Sequence, residues 1–155
     1  MLRLGDVTPD SPGFDRLRAE SAAEGHRMLE RFAEHWHDGS NRFDRPGEVI
    51  LGAQLDGELI GICGRNRDPF GPTPRAGRVR HLYVAAAHRR SGTGRVLIDA
   101  IVGGASQWFD YLNTNCPPEA APFYERLGFV PFPADRITHR LTLTAADLAA
   151  VLAVE

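Results

Sequence analysis

In 155 residues there are only two cysteines, Cys63 and Cys116. That excludes a disulfide framework and a paired C-x-x-C metal site. Nothing approaches the ~20 consecutive apolar residues of a membrane helix. The first residues, Met1-Leu2-Arg3-Leu4-Gly5-Asp6, carry no apolar run of signal-peptide length. The expectation is a cytoplasmic protein with no membrane partner. A surplus of positive charge is missing too: 18 Lys+Arg stand against 20 Asp+Glu, a formal net charge of −2. The arginines at 78, 80, 89, 90 and 95 come without interleaved aromatics or a groove-entering helix, so no nucleic-acid partner is expected. His35 and His37 fall on nearly opposite sides of a helix, so no metal site is expected from that pair.

What remains is ordinary globular material, 43% hydrophobic and 25% charged, of a length that fits one domain spanning 1–155. Residues 1–7 alternate as a strand would. Residues 11–38 read as helix, with Leu29, Phe32, Ala33 and Trp36 at i, i+3, i+4 and i+7, and Gly25 splits the stretch in two. Residues 48–55 and 58–65 form a hairpin about Asp56-Gly57. A proline- and glycine-rich loop covers 66–77, then a strand 78–84, a loop 85–94 and a helix from about 94 to 106. Another strand is expected at 108–114, a short helix at 119–127 stopped by Gly128, and strands at 129–132 and 137–143. Thr144, with Asp147 three residues on, caps a last helical turn. The order gives an α/β fold with a mixed sheet.

The most informative stretch is Val84-Ala85-Ala86-Ala87-His88-Arg89-Arg90-Ser91-Gly92-Thr93-Gly94-Arg95. A strand feeds a two-glycine loop that opens a helix. The first helical N–H groups lack internal partners, and the helix dipole favours an anion there. Arg89, Arg90 and Arg95 add charge, so a phosphate or pyrophosphate is implied. A dinucleotide fingerprint fails because the residue three after Gly94 is Leu97, and a Walker loop would need Gly-Lys-Ser/Thr. The loop alone is equally compatible with a plain helix start.

Arg89-x-x-Gly92-x-Gly94 directly after Leu82-Tyr83-Val84 resembles the acetyl-coenzyme A motif of the GNAT acetyltransferases. Downstream, Ala120-x-x-Phe123-Tyr124-Glu125-Arg126-Leu127-Gly128-Phe129 resembles that family's second coenzyme A element. The two motifs span residues 78–132. The resemblance implies a mixed, mostly antiparallel sheet of six to seven strands with about four helices. It also implies transfer of acetyl from acetyl-CoA directly to a primary amine of a small molecule, amino acid or peptide. Leu82, Tyr83, Val84, Arg89, Arg90, Ser91, Gly92, Thr93, Gly94, Arg95, Phe123 and Tyr124 then hold the cofactor. Where the family often carries Asn, this chain has Pro117, and Asn115, two residues earlier, is the nearest substitute. A non-catalytic acyl-CoA binding or sensing module is the alternative.

The chemistry needs a deprotonated amine, a polarised thioester carbonyl and a proton for the thiolate. By resemblance Tyr124 is the acid, and backbone N–H groups at Leu82 to Val84 polarise the carbonyl. His81 and Glu48 are candidate bases. Cys116 offers an acyl-accepting thiol, against the plainer reading of a small buried apolar residue. Candidate acceptor residues are Trp36, Arg42, Asp68, Asn113 and His139, with Asn41, Phe43 and Phe70 nearby. Arg42 suits a carboxylate-bearing acceptor. Analogy allows a homodimer, with 144–155 as a segment able to pack on a partner or on its own domain.

Overall fold

The computed structural model describes residues 1–143; the expected C-terminal turn and packing segment at 144–155 lie outside the described residues. Seven strands form one sheet in the order β1-β2-β3-β4-β5-β7-β6. They are β1 (Leu2–Asp6), β2 (Val49–Leu55), β3 (Glu58–Arg67), β4 (Ala76–Val84), β5 (Tyr111–Thr114), β6 (Val130–Ala134) and β7 (Ile137–Thr142). Among the described residues four α-helices accompany them: α1 (Phe14–Ala23), α2 (Met28–Asp38), α3 (Thr93–Val102) and α4 (Ala121–Arg126). All neighbouring pairs are antiparallel except β4 with β5. This is the mostly antiparallel fold expected from the sequence. Among the described residues no helix is long and apolar enough to cross a membrane.

Local chemistry explains the boundaries. Gly25, at φ 88°, separates α1 from α2. Asp56 and Gly57, at φ 51° and 86°, supply the two positive-φ positions of a tight hairpin between β2 and β3. β3 and β4 each run further than the sequence suggested, leaving only 68–75 as loop. α3 ends at Val102 rather than near 106, where Gly103-Gly104 breaks it. Pro131 and Pro133 sit in β6, the edge strand, where missing N–H groups cost least.

Each face of the sheet buries a core. One holds Leu97, Ile98, Ile101, Phe109, Leu112, Tyr124 and Phe129; the other holds Phe14, Leu17, Leu29, Phe32, Phe43 and Tyr83. Two departures from regular sheet geometry matter for function. First, β4 and β5 pair only at Ala76–Tyr111, Gly77–Leu112 and Arg78–Asn113. β5 then ends at Thr114, while β4 continues to Val84 beside β3. Beyond Arg78, β4 therefore has no β5 partner. Second, β4 bulges opposite Cys63: the ladder passes from Gly64–Arg80 to Ile62–Tyr83, and His81 sits at φ 60°. A bulge inserts one residue and so shifts which face the following side chains take. Val79 joins the α3 core and Arg80, next along the strand, faces the α2 side; the bulge then turns His81 to that same side.

Candidate active site

Where β4 leaves β5, three clefts run into one another along β4. The first, about 490 Å³, is lined by Leu82, Val84, Phe123 and Leu127 on its apolar side. His88, Arg89, Arg90, Gly92, Gly94, Arg95 and Arg126 complete it. The second, about 280 Å³, lies in the gap between the strands, against His81, Leu82, Tyr83, Val84, Thr114, Asn115, Cys116, Phe123 and Tyr124. The third, about 420 Å³, opens beside α2 and is lined by Met28, Arg31, His35, Phe70, Arg78, Val79, Arg80, His81, Asn115 and Arg136. The first two share Leu82, Val84, Arg89 and Phe123. The last two share Met28, Val79, His81 and Asn115.

The first cleft suits a phosphorylated ligand with an apolar arm. α3 begins behind Gly92, which sits at φ 88° with no side-chain cap, so its first-turn amides are left for a ligand. A Cβ on Gly92 would meet nothing within 4 Å, so the approach is open. At Gly94 a Cβ would stand 3.3 Å from the Phe123 ring, so glycine lets α3 and α4 close on each other. These amides, with Arg90, Arg95 and Arg126, would hold a pyrophosphate; Leu82, Val84, Phe123 and Leu127 would flank an apolar chain.

Several side chains in this region are engaged by the protein itself and leave their backbone to a ligand. Arg89 lines the cleft, but its guanidinium binds Glu24 at 2.5 and 2.9 Å and its Nε donates to the Val84 carbonyl at 3.0 Å. Tyr83 turns its ring to the α1 side and donates its hydroxyl proton to Glu24 (2.5 Å) and Glu20 (2.9 Å). The Arg89 and Tyr83 bonds hold the Glu24 carboxyl down to about 2. The Ser91 hydroxyl bonds within its own loop, to the His88 carbonyl and to Thr93, and Thr93 is buried. Ser91 and Thr93 therefore offer a ligand their backbone. Arg126, His88 and Leu127 were not read as site residues. Arg126 and Leu127 lie inside the second motif, and the four-residue spacing from Phe123 was the available signal for Leu127.

In the central cleft Tyr124 is buried, with its ring edge-on to Phe123 at 5.2 Å and to Phe129 at 5.3 Å. Burial pushes its phenol above the usual range, so it keeps its proton. His81 is packed between Phe32 (5.6 Å) and Phe43 (5.8 Å), and its Nε2 is buried without a hydrogen-bond partner among the described residues. Burial, then Arg80, His35 and Arg31, hold its pKa well below 6.5, so the imidazole is neutral. Cys116, also on the wall, has its Sγ 3.7 Å from His139 Nδ1, and His139 Nε2 is 2.8 Å from Glu125.

Glu48 stands outside all three clefts. One of its carboxylate oxygens accepts from the Arg45 backbone and side chain, both at 3.1 Å, and the other from the Arg67 amide at 2.9 Å. That clasp makes it a structural residue at the start of β2. The five acceptor candidates also lie outside the clefts among the described residues. Arg42 Nε donates to the Trp36 carbonyl at 2.8 Å and so caps the end of α2; Trp36 itself packs on Phe32. Asp68 and Asn113 belong to a buried network: Asn113 donates to Asp68 at 2.9 Å, Arg78 pairs with Asp68 at 3.3 Å, and Arg140 donates to Asn113 at 2.7 Å. His139 is occupied by Glu125 and Thr138. Asn115, in contrast, does line the two inner clefts.

The sequence matches the family model for an acetyltransferase (GNAT) domain over residues 46–131. The chain belongs to the GNAT acetyltransferase family, whose acyl donor is acetyl-coenzyme A. Its fold is shared with a crystal structure from Exiguobacterium sp. 255-15 described as an acetyltransferase, at 28% identity, TM-score 0.84 and 97% coverage of both chains. A GNAT N-acetyltransferase of Escherichia coli, YhbS, solved in complex with CoA, aligns at 20% identity and TM-score 0.69 over 96% of this chain and 83% of that one. An acetyltransferase of Thermus thermophilus aligns at 20% identity and TM-score 0.70, over 92% and 97%. No curated protein matches the sequence. The GNAT match covers the glycine loop and the Phe123-Tyr124 helix, and it begins after α2, so it leaves out Met28, Arg31 and His35.

Proposed function

We propose that this protein is an acetyl-CoA-dependent N-acetyltransferase, one catalytic domain acting in the cytoplasm by direct transfer to a primary amine. The observation that carries the reading is the continuous cleft along β4, open to a phosphorylated ligand at the α3 end and to a second molecule at the α2 end. Acetyl-CoA supplies an activated acyl thioester. The α3 amides and Arg90, Arg95 and Arg126 bind its phosphates. Leu82, Val84 and Phe123 line the way into the gap between the strands. On that side β4 beyond Arg78 has no β5 ladder, so its N–H groups are available to polarise a carbonyl. Tyr124, neutral and in the same gap, donates a hydrogen bond and then a proton to the departing thiolate. His81, neutral and bordering both inner clefts, is the candidate we favour to accept a proton from the incoming amine. Glu48 and the five residues outside the clefts have no part in this scheme.

The test is incubation with acetyl-CoA and a panel of primary amines, reading thiol release and acetylated product by mass. Amide product supports the transferase. Tight coenzyme A binding with no product from any amine favours the acyl-CoA binding module instead. Binding is read independently as stabilisation by coenzyme A and not by NAD.

A further inference from the structure

The cleft beside α2 has a charge composition that amide formation alone does not require. Its lining holds Arg31, Arg78, Arg80 and Arg136 and no carboxylate among the described residues, in a chain whose formal net charge is −2. Every one of the 18 basic residues is arginine and none is lysine. An arginine presents a planar fork that matches a carboxylate or phosphate with two hydrogen bonds.

The four guanidiniums are not equivalent. Arg78 is neutralised by Asp68 at 3.3 Å and donates to the Arg136 carbonyl at 2.6 Å. Arg136 stacks on Phe70 at 4.2 Å, at the rim. Arg80 is half-buried between them and α2, and Arg31 stands exposed on α2; neither makes an ion pair among the described residues. Burial, then Arg78 and Arg31, act against the charge on Arg80, and the carboxylates of Asp68 and Glu48 offset only part of this. Leaving a part-buried guanidinium without a counter-ion is unfavourable. Alternation from Val79 sets Arg80 on the α2 side, and the bulge turns His81, the proposed proton acceptor, to that same side.

We infer that the acceptor carries an anionic group, a carboxylate or a phosphate, which Arg80 and Arg31 bind as the counter-ion this cleft lacks. The inference rests on the reading of this cleft as the acceptor side. It has a chemical consequence: an ammonium entering beside the unpaired guanidiniums of Arg80 and Arg31 is disfavoured relative to the free amine. The charges that hold the anion thus also favour the nucleophilic form.

The deciding experiment needs no turnover. Protein saturated with coenzyme A, so that the α3 end is filled, is titrated calorimetrically with inorganic phosphate and with glutarate, against chloride at equal ionic strength. At least one of the two is expected to bind where chloride does not, and which one names the group. Arg80→Gln is expected to weaken that binding about 10- to 100-fold, the range for a lost hydrogen bond to a charged group, with coenzyme A affinity unchanged as the check on folding. If neither anion binds, or Arg80→Gln binds it equally well, the inference is overturned. Matched acceptors give a second reading: amino acids against their amides, and aminoalkyl phosphates against amino alcohols. The anionic member is expected to lead in kcat/KM by about tenfold or more, and equal rates overturn the inference. Failure to acetylate any member counts against the transferase reading alone, and the anion titration still stands.

Discussion

At the α3 end of the β4 cleft the protein presents backbone: uncapped amides behind Gly92, with Gly94 pressed against Phe123. At the α2 end it presents side chains gathered from α2, β4, the loop after β3, the segment after β5 and the turn between β6 and β7. A backbone cradle depends on a few residues close together in sequence, and it reads the part of a ligand that never changes. A side-chain cradle assembled from five parts of the chain can be altered one residue at a time. The two ends of one cleft thus fit a fixed donor and a protein-specific acceptor, with Tyr124 and His81 between them.

The sharpest way to break this comparison is at the middle. Tyr124→Phe keeps the ring and its contacts with Phe123 and Phe129 and removes the proton. Turnover is expected to fall about 10²-fold or more, the scale of general acid catalysis, while acetyl-CoA affinity stays near wild type. Steady-state kinetics beside coenzyme A titration separates the two. Unchanged kcat would remove Tyr124 from the chemistry and leave the central cleft as a passage only.

Next in size is the donor end itself. Gly92 is at φ 88° with open space around it, so a side chain there is opposed by the backbone and not by a neighbour. Gly92→Val is expected to cost about 1–2 kcal/mol of stability from the left-handed conformation. As the loop shifts to relieve that strain, coenzyme A affinity should drop about tenfold, the equivalent of ~1.4 kcal/mol. Thermal unfolding and coenzyme A titration read the two effects. Affinity equal to wild type would mean that the arginines, and not the amides, carry the phosphates.

These ends also differ in how far they were legible. Gly92, Gly94, Phe123 and Tyr124 lie in two short runs whose spacing is itself the signal, and the succession of elements along the chain followed from hydrophobic period and turn residues such as Asp56-Gly57. The acceptor end had no such signal. Arg42 looked suitable as a free cation in a loop, but the carbonyls at the end of α2 use it. Asp68 and Asn113 looked polar and available, but they are buried partners of Arg78 and Arg140. The residues that do line the cleft, Arg31 and Arg80, lie 49 positions apart in the chain. Alternation along Arg78-Val79-Arg80 puts Arg80 opposite the Val79 core, but only the bulge, invisible to any local pattern, brings His81 to that same side.

Cys116 sharpens the comparison from another side. Its neighbours His139 and Glu125 form a relay that could serve a thiol, yet direct transfer makes no use of it. Cys116→Ala is therefore expected to change kcat by about twofold at most, within what a small core substitution does by packing alone. Loss of turnover together with a trapped acetyl group on the wild-type protein, read by intact mass, would replace direct transfer with a two-step route.

The smallest expected effect concerns the tie between α1 and the donor loop. Glu24 accepts from both Arg89 and Tyr83, and its carboxyl is held down to about 2 from an ordinary value of 4.5. A carboxyl whose pKa is lower in the folded state stabilises the fold while ionised. That contribution is complete above about 4.5 and is lost as pH falls toward about 2. Its size is modest, because the pair is partly exposed and screened by salt. Wild type should therefore be slightly more stable than Glu24→Gln at neutral pH, with the gap closing between pH 4.5 and 2, as urea midpoints at stepped pH would show. Freed from Glu24, Arg89 would also add charge to the donor end, so Glu24→Gln should bind coenzyme A at least as tightly as wild type. Weaker binding would show that Arg89 acts by holding α1 and the loop together rather than by touching phosphate, and would move it from the cradle to its support.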